Sequence, residues 1–335
     1  MGLKIFCTGD WHLDSPLPDR PELRQAQLGI PGAAADLCRR EQCDLVLLGG
    51  DLFDGEYTRE SLEAVRRACA DMAVPVFIAP GNHDFVGGAG PFGRETFPGN
   101  VHVFLHPQME RVSLPELSCS VYGAGYDSMD CPGLLEGFSA EPEDRYRIGV
   151  LHGDPTTASS PCCPVTRGQL QSCGLQLLAL GHIHKTGSVR VGDTLCLWPG
   201  SPMGRDFGEC GDKGAWVVTL EDRAEAEFHS LSLPCFYETR CSGENLQLPA
   251  EVGRNYYRIT VTGYRGKEPL PRIPGVTWVD QTRGELNIWQ DLEEDSFSGA
   301  YFRRLHEKWQ AGDKDALTAA EISRRLLDGE EVPLC

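Results

Sequence analysis

The sequence predicts an α/β fold with two sheets enclosed by helices, and three observations carry that prediction. Short apolar runs alternate with helical segments in the opening stretch, a βαβαβ rhythm that implies a parallel sheet with right-handed crossovers. From about Gly187 the rhythm changes to short strands joined by tight turns, which reads as an antiparallel second half. Polar clusters rich in Asp and His follow the apolar runs directly, at the strand ends where open α/β sheets present chemistry.

Leu3 to Thr8 is the first strand, ending at Gly9-Asp10-Trp11-His12. Pro16, Pro18 and Pro21 break the next stretch into a loop, and Gly32 to Arg40 reads as a helix. Asp44 to Leu48 is the second strand and runs into Gly49-Gly50-Asp51. Thr58 is a suitable N-cap for a helix over Ser61 to Met72, where Leu62, Val65 and Cys69 recur at helical spacing. Val74 to Ala79 is the third strand and delivers Gly81-Asn82-His83-Asp84. After a Gly-rich loop from Gly87 to Pro98, short strands are expected at Val101 to Phe104 and Ser120 to Gly123. Arg147 to Leu151 delivers His152-Gly153-Asp154, and Leu175 to Leu180 delivers Gly181-His182-Ile183-His184. Strands at Gly187–Val191, Leu195–Trp198, Gly214–Leu220 and Ala226–Leu231 close a first domain over residues 1–235.

Residues 236 to 253 read as a polar connection. A small α+β unit over 250–290 should follow, with Tyr257, Ile259 and Val261 on one strand and Leu286 and Ile288 on another. A helical segment over 295–330 completes the chain, with Phe302, Leu305 and Trp309 on one face and Leu317, Ile322, Leu326 and Leu327 marking a second helix. These helices either pack on their own chain or dock a partner.

The 335 residues carry 31 basic and 49 acidic side chains, a formal charge of -18. That excludes a polyanion binder that works through a broad positive surface, and leaves open a site where bound cations supply the positive charge. The 14 cysteines include no C-x-x-C pair, so reduced thiols in a cytoplasmic protein are expected, several of them core residues. Asp10 and His12 follow the N-terminus too soon for a signal peptide, and no apolar run is long enough to span a bilayer, so an integral membrane protein is not expected.

Asp10, His12, Asp51, Asn82, His152, His182 and His184 are the candidate metal ligands. Taken singly, each is an ordinary polar residue behind a strand, and Gly-Asn-His-Asp is also good turn composition. Taken together they offer nitrogen and oxygen donors without thiolate, a set suited to Mn²⁺, Fe²⁺ or Zn²⁺. Asp51 has two oxygens with which to bridge two ions, and a two-metal site activates water and neutralises a phosphoryl group.

The order D-x-H, G-D, G-N-H-D, H, G-H-x-H resembles that of the calcineurin-like metallophosphoesterase superfamily over residues 3 to 202. The resemblance implies a four-layer αββα sandwich with a dinuclear centre, most readily of two Mn²⁺ ions. It implies one ion on Asp10, His12, Asp51 and His184, and another on Asp51, Asn82, His152 and His182. His83 matches a catalytic, non-ligand histidine that would protonate the leaving oxygen or steady the transition state, and Asp84 would orient it. Gly50-Asp51-Leu52-Phe53-Asp54 and Trp198-Pro199-Gly200-Ser201 resemble segments of the SbcD-type DNA repair exonucleases. That branch implies DNA as substrate and an SMC-like ATPase of the SbcC type as partner, held by the C-terminal helices; a homodimer is a further expectation. Asp54 stands where the repair nucleases carry a histidine that contributes to nuclease action. Arg205 is the candidate substrate-binding cation, with Arg303, Arg304, Arg324 and Arg325 in the tail as further phosphate contacts or solvated surface charges. A phosphatase or diesterase for a small phosphoester or a phosphoprotein, and a scaffold for the ATPase, are the alternative readings.

Overall fold

The computed structural model describes residues 2–17, 21–266, 268–284 and 286–330. It divides into two compact units, Met1–Tyr237 and Glu238–Cys335.

The first unit is built on two six-stranded sheets. In one, β1 (Leu3–Thr8), β2 (Leu45–Leu48), β3 (Val76–Ile78) and β4 (Val101–Val103) run parallel in that order. The other sheet contains β5 (Glu110–Leu114), β6 (Cys119–Gly123), β7 (Tyr146–His152), β8 (Leu177–Gly181), β9 (Gly187–Val191) and β10 (Thr194–Trp198), ordered β5-β6-β7-β8-β10-β9. The chain then returns to the first sheet, where β11 (Gly214–Leu220) pairs antiparallel with β1 and β12 (Ala224–Ser230) pairs antiparallel with β11.

Strand periodicity explains the layering. Leu3, Ile5, Cys7, Leu45 and Leu47 join Val121, Ile148, Val150, Leu177, Ala179 and Leu197 in one buried cluster drawn from both sheets. The intervening Phe6, Val46 and Leu48 are equally buried, as they must be when a parallel sheet is covered on both faces. Helix α1 (Arg24–Leu28) leads into α2 (Ile30–Arg40), which packs on α3 (Arg59–Met72). Thr58 caps α3 in a reciprocal box with Ser61. On the far face of the second sheet, Tyr122, Leu151, Leu178, Leu180 and Cys196 pack with Leu170 and Cys173 around the short helix α4 (Arg167–Ser172). The fold is therefore an α/β sandwich of two mixed sheets flanked by helices. Among the described residues no cysteine is bridged, and Cys7, Cys69, Cys163, Cys173 and Cys196 are wholly buried.

Two sequence expectations for this region are corrected, and one strand lies where the sequence gives no expectation. The stretch after Gly187 is not wholly antiparallel, because β10 pairs parallel with β8. The unexpected strand is β5, an edge strand that alternates half-buried and exposed residues and offers only Val112 and Leu114 to the core. The connection expected from residue 236 begins with a strand, β13 (Phe236–Ser242), whose outer residues are polar because it too is an edge.

In the second unit β13 lies beside β14 (Tyr256–Thr262), which pairs parallel with β15 (Val276–Asp280). The strand expected at Leu286 and Ile288 is not formed; Val276 to Asp280 takes that role directly after the Pro-rich turn. Helices α5 (Phe297–Gln310) and α6 (Lys314–Leu327) are capped by Ser296 and Asp313 and pack on each other. The inward face of α6 is Ala316, Ala320 and Arg324, while Leu326 and Leu327 are 56% and 61% exposed, against the apolar face expected there. Small residues at i and i+4 let the two helices approach. Arg324 is then buried because its Nη2 donates to Asp291 Oδ2 at 2.6 Å and its guanidinium lies 4.2 Å from the Phe302 ring centroid. Among the described residues no helix is long and apolar enough to cross a membrane.

Candidate metal centre

Parallel strands place their C-terminal ends on one edge, and here the two sheets bring those edges together. Asp10 and His12 follow β1, Asp51 follows β2, Asn82 and His83 follow β3, His152 ends β7, and His182 and His184 follow β8. The loops touch backbone to backbone: a Cβ on Gly49 would lie 2.5 Å from the Gly181 nitrogen, and one on Gly181 would collide with the Gly49 oxygen. Any side chain at either position would push the sheets apart. Gly81 is constrained in the same way, because a Cβ there would collide with Asp51 Oδ1 and lie 2.6 Å from His152 Nδ1.

The loops are zipped by main-chain bonds, Asp10 N–H to Gly50 O at 2.9 Å and His12 N–H to Asp51 O at 2.9 Å. Asp10, His12, Asp51 and His182 adopt left-handed backbone conformations, with φ of 51°, 44°, 50° and 95°. Four non-glycine residues in that sparsely populated region, all at one site, mark strain held in place by the surrounding structure.

Asp51 sits at the centre. Its Oδ2 lies 3.7 Å from His12 Nε2 and 3.5 Å from His152 Nε2, while its Oδ1 accepts the His83 N–H at 2.9 Å. On one side His12 Nε2 and His184 Nε2 are 3.0 Å apart, and Asp10, His12 and His184 converge. On the other, Asn82 Oδ1 lies 2.9 Å from His152 Nε2 and 3.3 Å from His182 Nδ1. The structure thus brings together all seven residues singled out as ligands, in two groups that share Asp51.

The donor chemistry fits divalent cations. His152 Nδ1 donates to the Gly49 carbonyl at 2.8 Å, His12 Nδ1 to Asp54 Oδ1 at 3.1 Å, and His184 Nδ1 to Glu209 Oε1 at 2.7 Å. With an oxygen acceptor on Nδ1, the His152 and His12 rings in their neutral form present the Nε2 lone pair to the centre. His12 Nε2 and His184 Nε2 face each other at 3.0 Å, a separation that suits two nitrogens sharing one proton or one cation. Asp10 Oδ1 accepts the His182 N–H at 2.8 Å, but Asp10 Oδ2 is buried with no partner among the described residues.

Burial pushes the Asp10 carboxyl up to about 6, and burial and the neighbouring Asp84 and Asp10 push Asp51 well above the usual carboxylate range. Burial also lowers His12 to about 4 and His152 well below the usual imidazole range, which keeps both neutral. Neutral imidazoles beside crowded carboxylates are a set that a divalent cation stabilises.

The residue that orients His83 is not the one expected. Asp84 is wholly buried, and its carboxylate accepts four backbone N–H groups: Gly81 at 2.8 Å, Asp51 at 3.2 Å, Leu52 at 2.7 Å and Phe53 at 3.3 Å. It clamps the Asp51 loop to the Asn82 loop, and those amides occupy the carboxylate expected to face the ring. Asp54 holds His83 instead, its Oδ1 lying 2.7 Å from His83 Nδ1. The hydrogen bond to Asp54 raises the His83 pKa against a smaller lowering by burial. In turn the bonds to His12 and His83 hold Asp54 well below the usual carboxylate range.

Arg205, expected to bind substrate, is occupied within the protein. Its Nε and Nη2 donate to Glu209 Oε1 at 3.1 and 2.7 Å, and its backbone N–H donates to Glu209 Oε2 at 3.0 Å. Burial raises Glu209, but the bonds to His184 and Arg205 outweigh it and leave the carboxyl well below its usual range. Sequence reading misses Glu209, which lies 25 positions from His184 in a Gly-rich loop with no local pattern. It also misses the buried Gln27, whose amide donates to the His12 carbonyl at 2.8 Å. Asp54 stands out in the sequence as a departure from a motif, not as a partner of His83.

The sequence family described as calcineurin-like phosphoesterase matches residues 3–186. The uncharacterized metallophosphoesterase YhaO of Bacillus subtilis is 29% identical over 241 residues, 64% of this chain and 57% of YhaO, so the match spans little more than half of that relative. The SbcD component of the SbcCD nuclease from the same organism is 22% identical over 337 residues, 87% of this chain and 78% of the relative. A dimetal phosphatase from Danio rerio overlays 68% of this chain and 99% of its own at 13% identity, with a TM-score of 0.43.

Proposed function

Because the chain belongs to the calcineurin-like phosphoesterase family, we propose that its metal-dependent phosphoesterase site hydrolyses a small phosphoester, a diester or a monoester, with His83 as the proton donor. Asp10, His12, Asp51 and His184 would hold one ion, and Asp51, Asn82, His152 and His182 the other. Manganese is the proposed native metal, on the mixed nitrogen and oxygen donor set. Such ions, when bound, supply Lewis-acid neutralisation of a phosphoryl group and activation of water.

The chain's own part is to hold the ligands and manage a proton. Asp54 keeps a proton on His83 Nδ1, so the mobile proton is the one on Nε2, available to a departing ester oxygen. The His83 side chain is 42% exposed, which leaves it accessible to a substrate, while Asp54 beneath it is 17% exposed and fixed by two imidazoles.

The observation that carries the small-substrate reading is the fate of the arginines. A polymer backbone needs a track of free cations. Arg205 is bound to Glu209, Arg324 is buried on Asp291, and Arg325 is bonded to Glu244, Glu321 and Glu330. Arg303 donates to the carbonyls of Leu292 and Glu294, and Arg304 lies 3.4 Å from Glu307. The five arginines singled out in the sequence therefore form no such track, on a chain of formal charge -18. The test compares kcat/KM on chromogenic monoesters, chromogenic diesters and cyclic nucleotides with turnover of defined 3′ and 5′ DNA ends, all with Mn²⁺. Turnover of a small ester that His83→Ala lowers by about 10²- to 10⁴-fold supports the proposal. A strong preference for DNA ends overturns the substrate half of it.

Exonuclease action on DNA is the second reading. It is favoured by the similarity to the SbcD component of the SbcCD nuclease over 87% of the chain, together with Gly50 to Asp54 and Trp198 to Ser201. In that reading α5 and α6 dock an SMC-like ATPase, and DNA cleavage appears only when that ATPase is added to the assay. Deleting residues 295–330 should then abolish capture of the ATPase and leave small-ester turnover intact.

A further inference from the structure

Lys213 is 6% exposed, an uncommon burial for an ammonium-bearing side chain, and nothing in the chemistry described so far uses it. Its Nζ donates to the carbonyl oxygen of His184 at 3.1 Å and reaches Ser201 Oγ at 3.0 Å. The same carbonyl accepts the Ser201 N–H at 3.1 Å. Gly200 makes that approach feasible: its φ is +76°, and a Cβ there would lie 2.6 Å from the His184 oxygen. His184 is therefore gripped at both ends, its ring by Glu209 and its backbone by Lys213 and Ser201.

Both grips come from the connection between β10, in the second sheet, and β11, in the first. Lys213 immediately precedes β11, a strand of the first sheet, whereas His184 follows β8 in the second. Asp10 and His12 follow β1, the strand that pairs with β11, so Lys213 ties His184 to the sheet that carries its fellow ligands. A neutral donor would satisfy one carbonyl. A charged one buried beside it makes a stronger bond, at a desolvation cost that an ordinary turn does not require.

We propose that Lys213 is a positioning residue for the half of the metal centre formed by Asp10, His12, Asp51 and His184, fixing His184 at the separation a cation needs. This rests on the metal-centre reading above. Lys213 does not touch substrate; it acts through the His184 backbone.

The test uses the full chain stripped of metal by chelation and titrated with Mn²⁺, followed by electron paramagnetic resonance, with the melting temperature of the metal-free protein measured alongside. The wild-type chain should take up two equivalents and show an exchange-coupled spectrum. Lys213→Met should retain one equivalent, show the six-line spectrum of isolated Mn²⁺, and bind the second about 10-fold or more weakly, with the metal-free melting temperature little changed. Should Lys213→Met not fold, Lys213→Gln, which keeps an uncharged donor, is read by the same criteria. A coupled spectrum in the variant, equal weakening of both equivalents, or failure of both variants to fold overturns the role of Lys213. A wild-type chain that takes up no Mn²⁺ overturns the metal centre as well.

Discussion

Asp54 Oδ1 accepts from His83 Nδ1 at 2.7 Å and from His12 Nδ1 at 3.1 Å, so one carboxylate oxygen joins the proposed proton donor to a proposed metal ligand. Asp54→Asn keeps the shape and removes the charge that both rings use. We expect kcat on a small ester to fall roughly 10- to 100-fold with KM changed little, because the donor and one ligand lose orientation while the other groups stay in place. Asp54→His, which installs the residue of the repair nucleases, should lose small-ester activity to a similar extent. Steady-state kinetics on both variants check this, and unchanged kcat in Asp54→Asn would sink the orienting role.

Asp84 and His83 are neighbours with different work, and stability separates them. Asp84→Ala strands four buried amide donors, each costing about 1–3 kcal/mol if left unsatisfied, so its melting temperature should drop sharply even without metal. His83→Ala should melt close to wild type and lose turnover. Thermal denaturation of the two metal-free variants decides the matter.

Metal removal should destabilise the first unit. Asp10, Asp51 and Asp84 are carboxyls pushed towards the neutral form by burial first, and Asp10 and Asp51 also by neighbouring carboxylates, and a bound cation relieves that penalty. Mn²⁺ at 100 times its dissociation constant should add about 2.7 kcal/mol per site, visible as a rise in melting temperature over the chelated protein. Absence of any rise at saturating Mn²⁺ would count against the whole centre.

The Arg324–Asp291 pair predicts a pH dependence of the second unit. Bonds from Ser298 and Arg324 lower the Asp291 pKa, so its contribution is complete above the unfolded carboxylate value of about 4 and is lost as pH falls below that. Arg324→Ala leaves the Asp291 carboxylate without its charged partner and should cost about 3–5 kcal/mol at neutral pH, with less difference from wild type near pH 3. Denaturant melts at the two pH values measure it.

The sequence by itself determined the α/β class and which strand ends carry Asp10, His12, Asp51, Asn82, His152, His182 and His184. Apolar runs followed at once by Gly and a polar ligand type are local features, and a parallel sheet sends such ends to one edge. Thr58 as the N-cap of α3 and the thiols of the core were legible for the same reason.

Only the tertiary structure decided who holds whom. Adjacency suggests Asp84 for His83, but consecutive side chains in a tight loop face different ways, and the amides of residues 51–53 take Asp84. Asp54 meets His12 and His83, and Glu209 and Lys213 meet His184, across separations in sequence that no periodicity marks. Arg324 reads as surface charge in the sequence, yet Ala316 and Ala320 draw α6 close and Asp291 meets it in the interior. Hydrogen-bond partners across loops depend on how two sheets seat against each other, a property of the packed core that no single stretch of chain encodes.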